Sequence, residues 1–136
     1  MTHGLARVAA MVATSLALFA TVAAESASVA EDDIWPALSQ DIFGERAVVE
    51  DSTAVSLDAP YRAEDAALVP LKVRIPAGTA EHVTKLTLVI DKNPAPVVGY
   101  FSFGPAAGSG ERVVETRVRV DMYSNVRAIV EMDDGR

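Results

Sequence analysis

The segment from Val83 to Phe103, VTKLTLVIDKNPAPVVGYFSF, constrains the fold more than any other part of the chain. Leu86, Leu88 and Ile90 alternate with Lys85, Thr87 and Asp91, the period of two that belongs to a half-buried strand. Residues 91–96 interrupt it: Asn93-Pro94 favours a turn, and proline has no N–H to give to a ladder. Beyond the turn, Val97, Phe101 and Phe103 are expected on one face, with Gly99 in line between the first two. The whole stretch reads as a hairpin at the centre of a β-sandwich core. It says much about fold and little about chemistry.

A chain of 136 residues, half of them apolar, is enough for one domain with a real core. It has no cysteine, which excludes a disulfide, a thiolate nucleophile and a sulfur-ligated zinc site in this chain. The net charge of −7 argues against nucleic acid or an anionic membrane as partner.

The first residues read as a targeting segment. Arg7 precedes VAAMVATSLALFATVAA, an uncharged run ending in small residues, the pattern of a secretory signal peptide. The run is short for a spanning helix and diluted by Thr14, Ser15 and Thr21. A buried helix or a membrane anchor is the alternative. Cleavage is expected after Ala24, or as late as Ala30, with no stable membrane insertion afterwards. Export would leave His82 as the one histidine of the mature chain. Residues 25–33, small and acidic, then form a flexible lead-in, and the folded domain is expected over 34–136.

Asp32 and Asp33 stand before IWPALSQDIF, where Pro36 suits a first helical turn and Ile34, Leu38 and Ile42 make one apolar stripe. One short helix ending near Gly44 is expected, with Trp35 packing it on the sandwich or marking a partner surface. Short strands follow: a weak one at 47–50, then 53–58 with Val55 and Leu57 inward. The next, 68–75, has Val69, Leu71, Val73 and Ile75 on one side. Pro70 on its other side suggests an edge strand or a bulge. Ala59-Pro60-Tyr61 and Pro76-Ala77-Gly78 read as turns, and Glu64-Asp65 as a solvated loop. After the central hairpin, the Gly-rich GPAAGSGE leads into a strand rather than a helix, which argues against phosphate cradling. In that strand Val114, Thr116, Val118 and Val120 share one face. The last strand points Val126, Ala128, Val130 and Met132 inward. Arg117, Arg119 and Arg127 are expected as a basic stripe with Glu115 and Glu131 interspersed, a solvated face worth little in stability.

Asp133-Asp134-Gly135 is a hairpin-turn signal, and only Arg136 follows it. The expectation is an all-β, immunoglobulin-like sandwich with one short N-terminal helix and its last strand missing. No catalytic constellation is visible. His82 has no nucleophile at a meaningful spacing, and His82, Met122 and Met132 are too few for a copper site. No enzyme activity, cofactor or metal is expected.

Four segments carry a resemblance: IWPALSQDIFGERAVVE, LDAPYRAEDAALVPLKVRIP, LVIDKNPAPVVGYFSFGPAAG and TRVRVDMYSNVRAIVEMDDG. Together they resemble the SoxY-like part of the quinoprotein-dehydrogenase-associated SoxYZ-like carrier proteins, relatives of the SoxY sulfur carrier. The resemblance spans nearly all of 34–135. It implies a non-enzymatic periplasmic carrier domain of sulfur-compound (thiosulfate) oxidation that pairs with a SoxZ-like domain or subunit. Sox-type or quinoprotein dehydrogenase enzymes would be further partners. It also implies a cysteine on a C-terminal Gly-Gly-Cys arm, which this sequence lacks, so a domain truncated before its arm is expected. Trp35, Asn93, Pro94, Tyr100, Arg117 and Arg119 are the family-motif and partner-surface positions it marks. The competing reading is an exported β-sandwich module that binds a protein through an open sheet edge.

Overall fold

The computed structural model describes residues 33–136. In chain order these form α1 (Trp35–Phe43), β1 (Ser56–Asp58), β2 (Val69–Ile75), the single turn α2 (Ala77–Ala80), β3 (Val83–Ile90), β4 (Val97–Ser102), β5 (Arg112–Val118) and β6 (Val126–Met132). Two three-stranded antiparallel sheets result, ordered β1-β2-β5 and β4-β3-β6. This is the expected two-sheet sandwich, with β2 and β3 at the two centres.

The core follows from alternation on those two strands. Val69, Leu71, Val73 and Ile75 of β2 keep 5% of their surface or less, and Leu86, Leu88 and Ile90 of β3 keep 1% or less. Val114, Val118, Phe101, Phe103, Val126, Ala128 and Val130 close over them half-buried. Each fully buried aliphatic side chain stabilises by about 1.5–3 kcal/mol. Truncating Leu86 to alanine would cost about 2–5 kcal/mol.

β3 departs from the half-buried expectation. Its outward residues Thr87 and Val89 are also fully buried. Their face is the one on which Arg127, across from Val89, carries its guanidinium 4.1 Å from the Trp35 ring. On the same face Arg46, just past α1, bonds Glu131 at 2.7 Å. The helix therefore lies over the second sheet and makes a third layer there. α1 itself starts with Trp35 N–H donating to Asp33 Oδ1 and ends at Gly44, whose N–H still donates to the Gln40 carbonyl while its φ of 68° turns the following chain out of the helix. Its covered face takes in Leu38 and Ile42 of the expected stripe but not Ile34. Phe43 is the buried residue, Trp35 meets it edge-on at 6.5 Å, and Ile34 is exposed.

Four further expectations are corrected. Residues 47–50 form no strand; they are an exposed connection between α1 and the first sheet. Pro76-Ala77-Gly78 opens a helical turn, α2, which buries Ala80 completely. Pro70 sits in a central strand rather than an edge strand. β1 covers only residues 72–74 of β2, so on that flank no ladder runs past Pro70 and its missing N–H breaks nothing there. In β4 the register shifts between Leu88 and Val89, a bulge that puts Val98 rather than Val97 against the core. Phe101 and Phe103 point inward as expected.

The Asp133-Asp134-Gly135 turn forms. Gly135 N–H donates to the Met132 carbonyl at 3.1 Å, Met132 N–H donates to the Arg136 carbonyl at 2.6 Å, and Gly135 has φ 88°. This is a three-residue hairpin loop with its left-handed residue in last place. β6 is an edge strand.

Candidate partner surface

The outer face of the second sheet holds the densest polar arrangement among the described residues. Asp91 directly follows β3, with its side chain 3% exposed. Arg127 meets it through Nε at 2.9 and 3.1 Å and Nη2 at 2.8 Å, a bidentate pair. The guanidinium is then capped by the Trp35 ring. The Asp91 carboxylate, through its hydrogen bond first, holds the Arg127 pKa above its ordinary value despite partial burial. Thirty-six residues separate the two in sequence, and no local pattern pairs them. Asp91 looked like the first turn residue, and Arg127 one member of a stripe.

Glu131, four residues along β6 from Arg127, gathers a second set of charges. Lys85 Nζ lies 2.8 Å from one of its oxygens and Arg46 Nη1 2.7 Å from the other. The hydrogen bonds from Lys85 and then Arg46 hold its carboxyl below the usual range. Lys85 also sits 4.9 Å over the ring of Tyr100, which is 59% exposed on β4. Trp35 and Tyr100 are thus on one face of the molecule, linked through Arg127, Glu131 and Lys85 along β6 and β3.

Asn93 has a different role. Its Nδ2 donates to the Arg119 carbonyl at 2.8 Å, and its Oδ1 accepts the Asp121 N–H at 3.0 Å. Lys92 N–H donates to Ser124 Oγ, and Asp91 N–H to the Asn125 carbonyl. The side chain of Asn93 therefore ties the β3–β4 turn to the loop between β5 and β6. Pro94 is exposed beside it. The Arg119 side chain turns to Asp121 at 2.6 Å, so Asn93 meets only the Arg119 backbone.

Arg117 is on neither surface. It is exposed on the outer face of the first sheet, beside a shallow open groove shared with Pro60, Pro70, Lys72 and Glu115. The expected basic stripe does not exist. Arg117 lies on β5 in the first sheet, Arg119 in the loop just after it, and Arg127 on β6 in the second sheet, because the chain changes sheets between them. The six marked positions thus fall in three places rather than one. Among the described residues no group of three or more His, Cys, Asp or Glu side chains is arranged to hold a metal.

A family profile described as sulfur oxidation protein SoxY matches residues 39–136. Among solved structures, the sulfur carrier protein SoxY from Chlorobium limicola f thiosulfatophilum superposes with a TM-score of 0.53 at 24% identity. The match covers 71% of this chain and 77% of that one, and shows a common fold. No curated protein matches. The profile match takes in the end of α1, both sheets and the closing turn; the chain belongs to the SoxY family of sulfur oxidation proteins.

Proposed function

We propose that this chain is a non-enzymatic SoxY-type domain of sulfur-compound oxidation, thiosulfate oxidation above all, exported to the periplasm and acting as a scaffold that pairs with a SoxZ-like domain or subunit. The observation that carries the reading is the SoxY profile over 39–136 lying on a two-sheet body of the same fold as a sulfur carrier. A chain without cysteine cannot hold a sulfur adduct on a thiol, so its own contribution is surface rather than chemistry. That surface is the outer face of the second sheet, where Trp35 and Tyr100 supply half-exposed aromatic area and the Arg127 and Glu131 pairs fix their setting. The four matching segments extend the reading to the quinoprotein-dehydrogenase-associated subtype, with those enzymes as further partners. Residues 1–24 act as the leader, with cleavage there or as late as Ala30.

The test is titration of the purified chain with a SoxZ-type protein, followed by sedimentation velocity. One-to-one association weakened at least about tenfold by Tyr100→Ala supports the reading. No association at any reachable concentration overturns it. N-terminal sequencing of the exported protein tests the leader separately, and a mature chain still starting at Met1 overturns that part.

A further inference from the structure

With no cysteine in the chain, thioethers are its only sulfur. Two of its four methionines, Met122 and Met132, lie among the described residues, and the fold sets them apart. Met132 ends β6 in the inward row, half-buried against the core. Met122 stands in the loop between β5 and β6 with 57% of its surface exposed, beside Tyr123 at 66%. That loop is anchored at four points. Asn93 accepts the Asp121 N–H at 3.0 Å and donates to the Arg119 carbonyl at 2.8 Å. Ser124 Oγ accepts the Lys92 N–H at 2.9 Å, and the Asn125 carbonyl accepts the Asp91 N–H at 3.1 Å. None of these bonds uses the Met122 side chain, so a change at its sulfur leaves the anchoring intact. Exposure governs how fast a thioether meets a dissolved oxidant, and packing in a core shields it.

We propose that Met122 is a site of reversible sulfoxidation, at which the folded domain reacts with peroxide-class oxidants ahead of Met132. With hydrogen peroxide, the Met122 sulfur lone pair attacks one oxygen. An S–O bond forms as the O–O bond breaks, and the second oxygen leaves as water after taking the proton from the first. Sulfur gives up two electrons and the peroxide takes them, so no other co-reactant is needed. The sulfoxide makes the apolar Met122–Tyr123 tip polar while both sheets stay as they are. The same change at Met132 would set a polar oxygen against the core cluster. Because the tip is exposed in the folded chain, methionine sulfoxide reductases of either stereospecificity reach it without unfolding. The inference stands on the exposure and anchoring of one loop and not on the sulfur-oxidation reading.

The experiment treats the full chain with a small molar excess of hydrogen peroxide and follows oxygen addition at each methionine by peptide mapping and mass spectrometry. Met122 should gain one oxygen at least about fivefold faster than Met132, and in denaturant the two rates should converge. The chain oxidised at Met122 should melt as the parent does but elute earlier from a hydrophobic-interaction column. Met122→Leu, an apolar replacement at an exposed position, should keep the parent's retention after the same treatment. A-type and B-type methionine sulfoxide reductases together should restore the parent mass without denaturant. Met132 oxidised as fast as Met122 in the folded chain, a preference that persists in denaturant, a melt lowered by oxidation at Met122, or a sulfoxide that the reductases remove only after unfolding would each overturn the proposal.

Discussion

Asp91→Ala is the most informative single change. It leaves the Arg127 guanidinium beneath Trp35 without its bidentate acceptor. Removing one partner of a fully buried ion pair costs about 3–5 kcal/mol. Arg127 keeps 23% of its side chain exposed, so water recovers part of its hydration, and the stacking on Trp35 survives. A loss of about 2–3 kcal/mol is the result, or roughly 10–20 °C in Tm for a domain of this size. Urea and thermal melts measure it, and Trp35, the one tryptophan, reports the helix directly because its ring caps the guanidinium. The emission of the folded variant should shift to the red as α1 loosens. Glu115→Ala is the control. Its pairing with Lys72 is exposed and screened by water, and its removal should leave the melting curves close to those of the parent. Replacing Asp91 and Arg127 together by Leu and Met should recover most of the loss, since an uncompensated charge is then no longer buried. An Asp91→Ala variant within about 1 kcal/mol of the parent, with unchanged emission, would refute the reasoning.

Asn93→Ala removes two cross-loop hydrogen bonds and should cost about 1–2 kcal/mol, with faster amide exchange concentrated around Asp121. Gly135→Val forces a branched residue into φ 88°; the terminal turn should open, and the Met132 amide should lose its protection while β3 keeps its own. Acid should act through Glu131. Its folded pKa lies below the ordinary 4.5, so its contribution is complete above that value and disappears as pH falls through the folded one. Stability should therefore be level through neutral pH and decline below about 4.5, and Glu131→Gln should flatten part of that acid limb.

The inward faces of β2, β3, β5 and β6 were readable because their period of two is uninterrupted. The closing turn was readable because Asp-Gly chemistry is local. What failed was whatever depends on a distant partner. Thr87 looks like a solvent position until α1 is laid over it, and Val97 looks inward until a bulge moves the alternation by one. Residues 47–50 carry strand-forming side chains but find no neighbour to pair with. The marked surface positions scattered for the same reason. Arg119 and Arg127 are close in sequence, but the connection between them crosses from one sheet to the other. Asn93 attracted notice as a turn residue, and its side chain proved to be a clamp on a loop far along the chain.

The pairing order has a kinetic corollary. β1 with β2 and β3 with β4 are joined by short connections, whereas β2 with β5 and β3 with β6 must each enclose long intervening chain. The two local pairs can assemble first, but neither central strand acquires its second neighbour until residues 112–132 arrive. Such a high mean sequence separation between contacts places folding in the millisecond-to-second range of all-β domains. During synthesis both central strands emerge with one flank bare, and the molecule stays exposed to mispairing until β5 and β6 are available.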